Sequence, residues 1–184
     1  MNKKLKYVLG GAAALFVVVT AVGFVLPSQM EVQRSVVIDA TPERIYPLIN
    51  SFENGWSQWN PFVKPGQDIS YEGPDAGVGA QQHWVDEEAD EDGSMTITRS
   101  DPQRGVEFDL VMMQESFRLT GSLLCEPAGE GTKLTWTDRM DLGNNPYGRY
   151  MGLVFGSLIG AEFEVGLQSI KELAEAPAPQ VATR

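Results

Sequence analysis

The segment that most constrains the fold is Pro146 to Glu175, a single long apolar-periodic run near the end of the chain. Tyr147, Met151, Val154, Phe155, Leu158, Ile159, Phe163, Leu167, Ile170 and Ala174 recur at three- and four-residue spacing, the period of a helix with one buried stripe. Asn145 stands at the N-cap position and Pro146 at the first helical position, where the missing N–H costs least; Pro177 forbids continuation. The segments from Gln29 onward read mainly as β-strands. One long helix after one antiparallel sheet must lie on that sheet, because neither buries its apolar face alone. The expected class is α+β, a curved antiparallel sheet of six to seven strands packed around the C-terminal helix.

The same helix carries Gly148, Gly152, Gly156 and Gly160 at four-residue intervals. Each costs roughly 1 kcal/mol of helix propensity relative to alanine. Three readings compete: close approach of helix to sheet, volume left open for a ligand, or a small-residue face for packing in a membrane. The uncharged run Tyr150 to Ala161 is shorter than the ~20 residues a bilayer span needs.

The first strand spans Glu31 to Asp39, with Val32, Arg34, Val36 and Ile38 on one side. Thr41-Pro42 opens a short helix whose inner face is Ile45, Leu48 and Ile49. A short helical or irregular piece with Trp56 and Trp59 follows. Further strands are expected at 68–72, 78–85, 94–100, 106–112, 117–125 and 134–142. An acidic hairpin turn, Asp86 to Asp92, falls among them. Residues 177–184, rich in proline and alanine, read as a disordered tail.

Tyr7 to Leu26 is a 20-residue stretch without charge, and Lys3, Lys4 and Lys6 precede it. Such a helix reaches about 30 Å, one hydrocarbon thickness. The expected organisation is therefore a membrane anchor at 1–28, with a cleaved signal as the alternative, then a folded domain at 29–176. The lysines place the N-terminus in the cytoplasm and the domain on the extracytoplasmic side of the inner membrane, or free in the periplasm or medium after cleavage. The chain's formal charge is −11, and beyond the anchor 11 Lys and Arg face 25 Asp and Glu, a net of −14. A domain so acidic repels phosphate backbones, which argues against nucleic acid as a partner.

Familiar catalytic motifs are absent from the sequence, and no cofactor is expected. One histidine, His83, and one cysteine, Cys125, exclude most metal centres built from those residues. The acidic turn lacks calcium-loop spacing: counting from Glu88, Arg99 stands where the closing glutamate belongs. A Cys125–His83 dyad is disfavoured by opposite strand phases. Asp138 is the more informative residue, because it shares a strand face with Leu134, Trp136, Met140 and Leu142. A carboxyl on an apolar phase must be paired, protonated or turned into a polar cavity. Gln82, beside Trp84, poses the same choice. Trp56, Trp59, Trp84 and Trp136 serve either as core or as an aromatic pocket wall. The candidates for the wall of a sheet–helix cavity are Trp56, Trp59, Gln82, Trp84, Phe108, Trp136, Asp138, Gly152, Phe155, Gly156 and Ile159.

Several stretches together resemble one superfamily. They are Arg34 to Glu43 leading into the first helix, Trp56-x-x-Trp59-Asn60-Pro61, Gly77-x-Gly79-Ala80 with Trp84, Gly131 to Trp136, and Ile159-Gly160-x-x-Phe163-Glu164-x-Gly166-Leu167. Over residues 29–175 the chain resembles the START-like, or SRPBCC, superfamily in its polyketide cyclase/dehydrase branch. That resemblance implies a helix-grip fold with a cavity between sheet and helix, and a hydrophobic small-molecule or lipid ligand. It implies cyclase or dehydratase activity in some members and simple carriage in others, and it carries no universal catalytic residue. The reading is thus a membrane-tethered binder of a hydrophobic small molecule. The alternatives are a cyclase-type enzyme using Asp138 or His83, and an interaction module whose cavity is filled.

Overall fold

A computed structural model describes residues 3–86, 91–113 and 117–177. The expected tail at 178–184 and the tip of the acidic turn at 87–90 lie outside the described residues. The elements run α1 (Lys3–Val25), β1 (Gln29–Ile38), α2 (Pro42–Ile49), a 3₁₀ turn at Trp56–Gln58, then β2 (Asp68–Glu72) and β3 (Gln81–Asp86). They continue with β4 (Glu91–Asp101), β5 (Gly105–Met112), β6 (Phe117–Ala128), β7 (Gly131–Asp141) and α3 (Pro146–Glu175). All strands join one antiparallel sheet in the order β1-β7-β6-β5-β4-β3-β2. The α+β helix-grip expectation holds, with seven strands.

Strand alternation sets the two faces. Along β1, Met30, Val32 and Ile38 are buried while Glu31, Gln33 and Val37 are exposed. Met95 and Ile97 on β4, Phe108 on β5, Leu119 and Leu123 on β6, and Leu134 and Trp136 on β7 point to the same concave side. Between Ile97 and Arg99 the pairing with β5 slips by one residue, a bulge of the kind that locally bends and twists a strand. The strand expected from Val78 begins later, at Gln81. Gly77 and Gly79 both take positive φ, and Val78 between them is 60% exposed, so this stretch turns before it pairs.

Helix α3 has an N-cap in which Asn145 Oδ1 accepts from the Tyr147 N–H at 3.0 Å. Its second half closes the core: Phe163, Leu167, Ile170 and Ala174 are each no more than 2% exposed. It runs beside β1 in the same direction, with Gly152 by Met30, Gly160 by Arg34, and the Asp39 N–H bonded to Glu175 near both C-termini. Arg34 pairs with Glu164 at 2.7 Å, and the Lys171 ammonium donates to the Val37 carbonyl. The short helix α2 has its last carbonyls covered by indoles: Trp56 Nε1 donates to the Ile49 carbonyl and Trp59 Nε1 to the Leu48 carbonyl, both at 2.7 Å.

The glycine row serves close approach at some positions and not at others. A methyl at Gly152 would stand 2.7 Å from Leu142 Cδ1, and one at Gly160 2.3 Å from the Arg34 guanidinium, both ends of flexible side chains. At Gly156 the nearest atom is Val32 Cγ2 at 4.0 Å. The tightest rigid approach lies six residues beyond the row. A methyl at Gly166 would meet the Trp136 ring at 2.9 Å and Pro61 at 3.1 Å. Gly156→Ala should therefore gain stability, up to about 1 kcal/mol from helix propensity. Gly166→Ala should lose roughly 1–3 kcal/mol by overpacking a ring that cannot swing aside. Urea denaturation of both variants in mild detergent checks the opposite signs.

Candidate functional site

The site lies where the concave sheet, the loop after the 3₁₀ turn and the middle of α3 fail to close completely. β7 contributes Trp136 and Asp138, β5 contributes Phe108 and Leu110, and β3 contributes Gln82 and Trp84, all on the inward phase. Asn60 to Lys64 and Gln67 roof the space, and Ile159 of α3 borders it. The cavity holds about 190 Å³. At its edge Lys64 and Glu91 pair at 3.7 Å between the loop and β4, with both side chains about half exposed. A larger hollow, about 430 Å³, includes Glu31, Asp109, Arg118, Arg139 and Asp141 along the sheet. Its lining mixes these outward-phase charges with Met30, Leu110, Leu119 and Met140, and it lacks the aromatic wall of the smaller cavity.

Two glycines make the inner wall possible. The register sets Gly121 of β6 directly between Phe108 and Asp138. A methyl there would lie 2.1 Å from Phe108 Cζ and 2.5 Å from Asp138 Oδ1, so the missing side chain lets the ring and the carboxyl lean over β6. Gly93 does the same for Trp84, whose ring would touch an added methyl at 2.1 Å.

The aromatic wall is cooperative. Trp136 stacks on Phe163 with centroids 4.0 Å apart and planes 6° from parallel. Trp59 meets Trp136 edge-on at 5.4 Å, and Trp56 meets Phe108 edge-on at 5.1 Å. The Trp136 Nε1–H donates to Asp138 Oδ1 at 3.1 Å. Asp138 is 8% exposed. Burial pushes its pKa up to about 7, against the opposing effect of the indole hydrogen bond. It is thus a carboxyl whose protonation changes near neutrality. Cys125 is buried away from this wall, and desolvation raises its thiol pKa to about 11, which leaves it inert. Among the described residues no cluster of His, Cys, Asp and Glu has the geometry of a metal site.

The structure brings Trp56, Gln82, Trp84 and Phe108 to one cavity, together with Trp136, Asp138 and Ile159. Trp59 stands behind the wall, packed on Trp56 and Trp136. Gly152 and Gly156 face Met30 and Val32 on the β1 flank instead of the cavity, because α3 rests on β1 along its first half. The side chain of Phe155 lies outside the described residues. Met95, Leu110 and Leu119 were missed, although their inward strand phase marks them. The roof at 60–67 has no periodicity, so only the neighbouring tryptophans hint at it.

The carboxyl gives a signed pH dependence. Its folded pKa stands above the unfolded value of about 3.9, so the folded state holds the proton more tightly. The associated stability is fully present below about pH 4 and is lost as pH rises through about 7, a change on the order of 4 kcal/mol. Asp138→Asn keeps the oxygen that accepts from Trp136 and removes the titration. The variant should show a flatter stability profile between pH 4 and 8 and exceed wild type at pH 8, measured by urea denaturation.

Comparison with known proteins agrees with this architecture. A family model described as "Polyketide cyclase / dehydrase and lipid transport" matches residues 29–175. Similar solved structures include a protein of unknown function from Staphylococcus aureus, 13% identical with a TM-score of 0.61 over 80% of this chain and 94% of that one. The Aha1 dimer from Colwellia psychrerythraea is 17% identical, TM-score 0.54, over 79% and 96%. A protein from Chromobacterium violaceum is 15% identical, TM-score 0.53, over 80% and 99%. At such identities the likeness speaks for the fold alone. No protein of curated function matches the sequence. The family model covers the whole sheet and the whole of α3, and the chain belongs to the polyketide cyclase/dehydrase and lipid-transport family of the START-like superfamily.

Proposed function

We propose that the domain binds a hydrophobic small molecule or lipid chain in the cavity between sheet and α3, while α1 holds it on a membrane. The observation that carries this reading is the cavity itself: aromatic and aliphatic walls with Asp138 and Gln82 as buried polar groups. Its volume, about 190 Å³, lies below the ~300–1,000 Å³ of sites for drug-sized ligands. A small ligand fits whole, and a longer one inserts an apolar end and leaves its head at the Lys64–Glu91 rim. α1 supports the tether: Lys6–Val25 is long and apolar enough to cross a membrane, and only 6% of it is buried. With lysines before it, the domain stands on the extracytoplasmic side.

Native mass spectrometry of the full chain should reveal a co-purifying apolar ligand, and a fluorescent fatty acid should bind. Leu110→Trp, which places a large ring in the cavity, should weaken that binding about tenfold or more, ~1.4 kcal/mol per factor of ten, while the domain stays folded. Wild type that takes up no apolar probe would leave the filled-cavity interaction module as the better reading. For the tether, alkaline phosphatase fused after Arg184 should be active. Activity of only a cytoplasm-dependent reporter at that position would refute export.

A second reading, a cyclase or dehydratase, is favoured by Asp138 alone, whose pKa near 7 suits proton transfer inside an apolar cavity. Asp138→Asn would then abolish turnover while ligand affinity below pH 7, where the wild-type carboxyl is also neutral, stays unchanged, whereas a pure binder shows no turnover to lose.

A further inference from the structure

Helix α1 does not stand free of the domain. Its last turns pack on the first turns of α3. The Tyr150 hydroxyl donates to the Val19 carbonyl at 2.7 Å, and the Tyr147 hydroxyl and Thr20 Oγ1 share a hydrogen bond at 2.8 Å. The rings of Phe16 and Tyr147 lie 6.2 Å apart. At Gly23 the helices touch so closely that a methyl would stand 2.7 Å from Pro146 Cβ. Arg149 Nη1 donates to the carbonyls of Phe24 and Leu26 at 2.9 and 3.0 Å.

These contacts fix a depth. Phe16, Val19, Thr20 and Gly23 all belong to the apolar window Lys6–Val25. Val19 lies six residues before the window's end, about 9 Å along a helix rising ~1.5 Å per residue. A side chain that reaches the Val19 carbonyl of a membrane-spanning helix therefore reaches below the headgroups. The rest of the first half of α3 fits that position. From Tyr150 to Ala161 it has no charged residue, and Leu153 and Leu158 are 59% and 63% exposed. Beyond it the exposed positions include Glu162, Glu164, Gln168 and Glu172. The charge-free stretch of α3 thus begins at the turns that touch α1 and ends at Glu162. Arg149 stands at the α1 end of that stretch, where its hydrogen bonds go to the carbonyls of Phe24, Leu26 and Gly143, and a guanidinium there suits a lipid phosphate.

We propose that the first half of α3, from Tyr147 to Leu158, is a lipid-contact surface that lies in the outer interface of the bilayer beside α1. The inference rests on α1 spanning a membrane, as read above. α1 is then a retained part of the fold and not a cleaved signal. The run is too short to span and instead lies at the acyl boundary, as an interfacial helix does. Ile159, the next residue, borders the cavity, so the lipid surface and the cavity adjoin. The acidic domain gains nothing from anionic lipid, so the contact is apolar and a zwitterionic bilayer suffices.

The test uses the full chain in phosphatidylcholine vesicles with Cys125→Ser as background. Single cysteines replace Leu15 in α1, Leu158 and Leu153 in the strip, and Gln168 on the polar half, each labelled with bimane. Nitroxides on the lipid acyl chain should quench the labels at Leu15, Leu158 and Leu153 several-fold more than the label at Gln168. Aqueous iodide should show the reverse order. Quenching at Leu15 but water-exposed labels at both Leu158 and Leu153 would overturn this inference and leave the anchor standing. A water-exposed label at Leu15 would overturn the anchor and the lipid contact together. Pyrene at Leu158 that gives excimer emission independent of lipid dilution would assign the strip to a second copy of the chain instead of lipid, and would equally overturn it.

Discussion

Trp136 stacked on Phe163 is the contact on which the rest of the domain depends. Trp136 sits midway along β7, paired with Leu123 of β6 on one side and Arg34 of β1 on the other. Its ring fixes how far α3 stands from the sheet, and at Gly166 the helix backbone comes so close that a methyl would meet that ring at 2.9 Å. Its indole N–H fixes the Asp138 carboxyl, two residues along the strand. Its edge receives Trp59, whose own indole holds the end of α2. One side chain therefore couples the helix grip, the cavity wall and the roof. Large rings bury the area that so small a core needs, and their edge-to-face geometry adds direction to it.

The two halves of α3 follow from that contact. Beyond Gly160 the helix is clamped by Phe163, Leu167 and Ile170, with the Arg34–Glu164 salt bridge and the Lys171 contact to the Val37 carbonyl of β1 at its margin. Before Gly160 its contact with the sheet is confined to the β1 edge while its first turns rest on α1, and Gly156 has nothing nearer than Val32. A helix held firmly at one end and loosely at the other leaves a gap between its loose half and the distant strands, β3 to β5. The cavity lies in that gap.

Most of the architecture was legible because period-2 and period-3.6 patterns are written by burial, and burial is what the sheet and α3 share. The inward phase of Asp138 was visible for the same reason. Less legible was which inward positions border empty space. Trp59 and Trp136 are equal candidates for the wall by residue type, yet one is packed behind the other. The glycine row misled in part, since spacing reports which helix face is small but not which strand lies opposite. Gly152 and Gly156 meet β1 because α3 runs along that edge strand. Gly121, which the sequence places in an ordinary strand, and Gly93, which it places at the end of the acidic turn, prove to be the glycines that make room for the site. Their role depends on register, and register is a long-range property.

A buried carboxyl beside an apolar cavity costs free energy when charged, and the fold offers it one indole donor and no cationic partner among the described residues. That arrangement suits a carboxyl that is neutral for part of its working range. A protonated Asp138 can donate a hydrogen bond to a ligand carbonyl, hydroxyl or carboxylate, while the ionised form can only accept. An apolar ligand that displaces water from the cavity raises the cost of the ionised form further. Binding and proton uptake are then linked: such a ligand should bind more tightly below pH 7 than above it, and the dependence should vanish in Asp138→Asn. Titrating the fluorescent fatty acid at pH 6 and pH 8 separates this from the fatty acid's own ionisation when an uncharged ester is run beside it. If ester affinity does not change with pH in wild type, the carboxyl does not face the bound ligand.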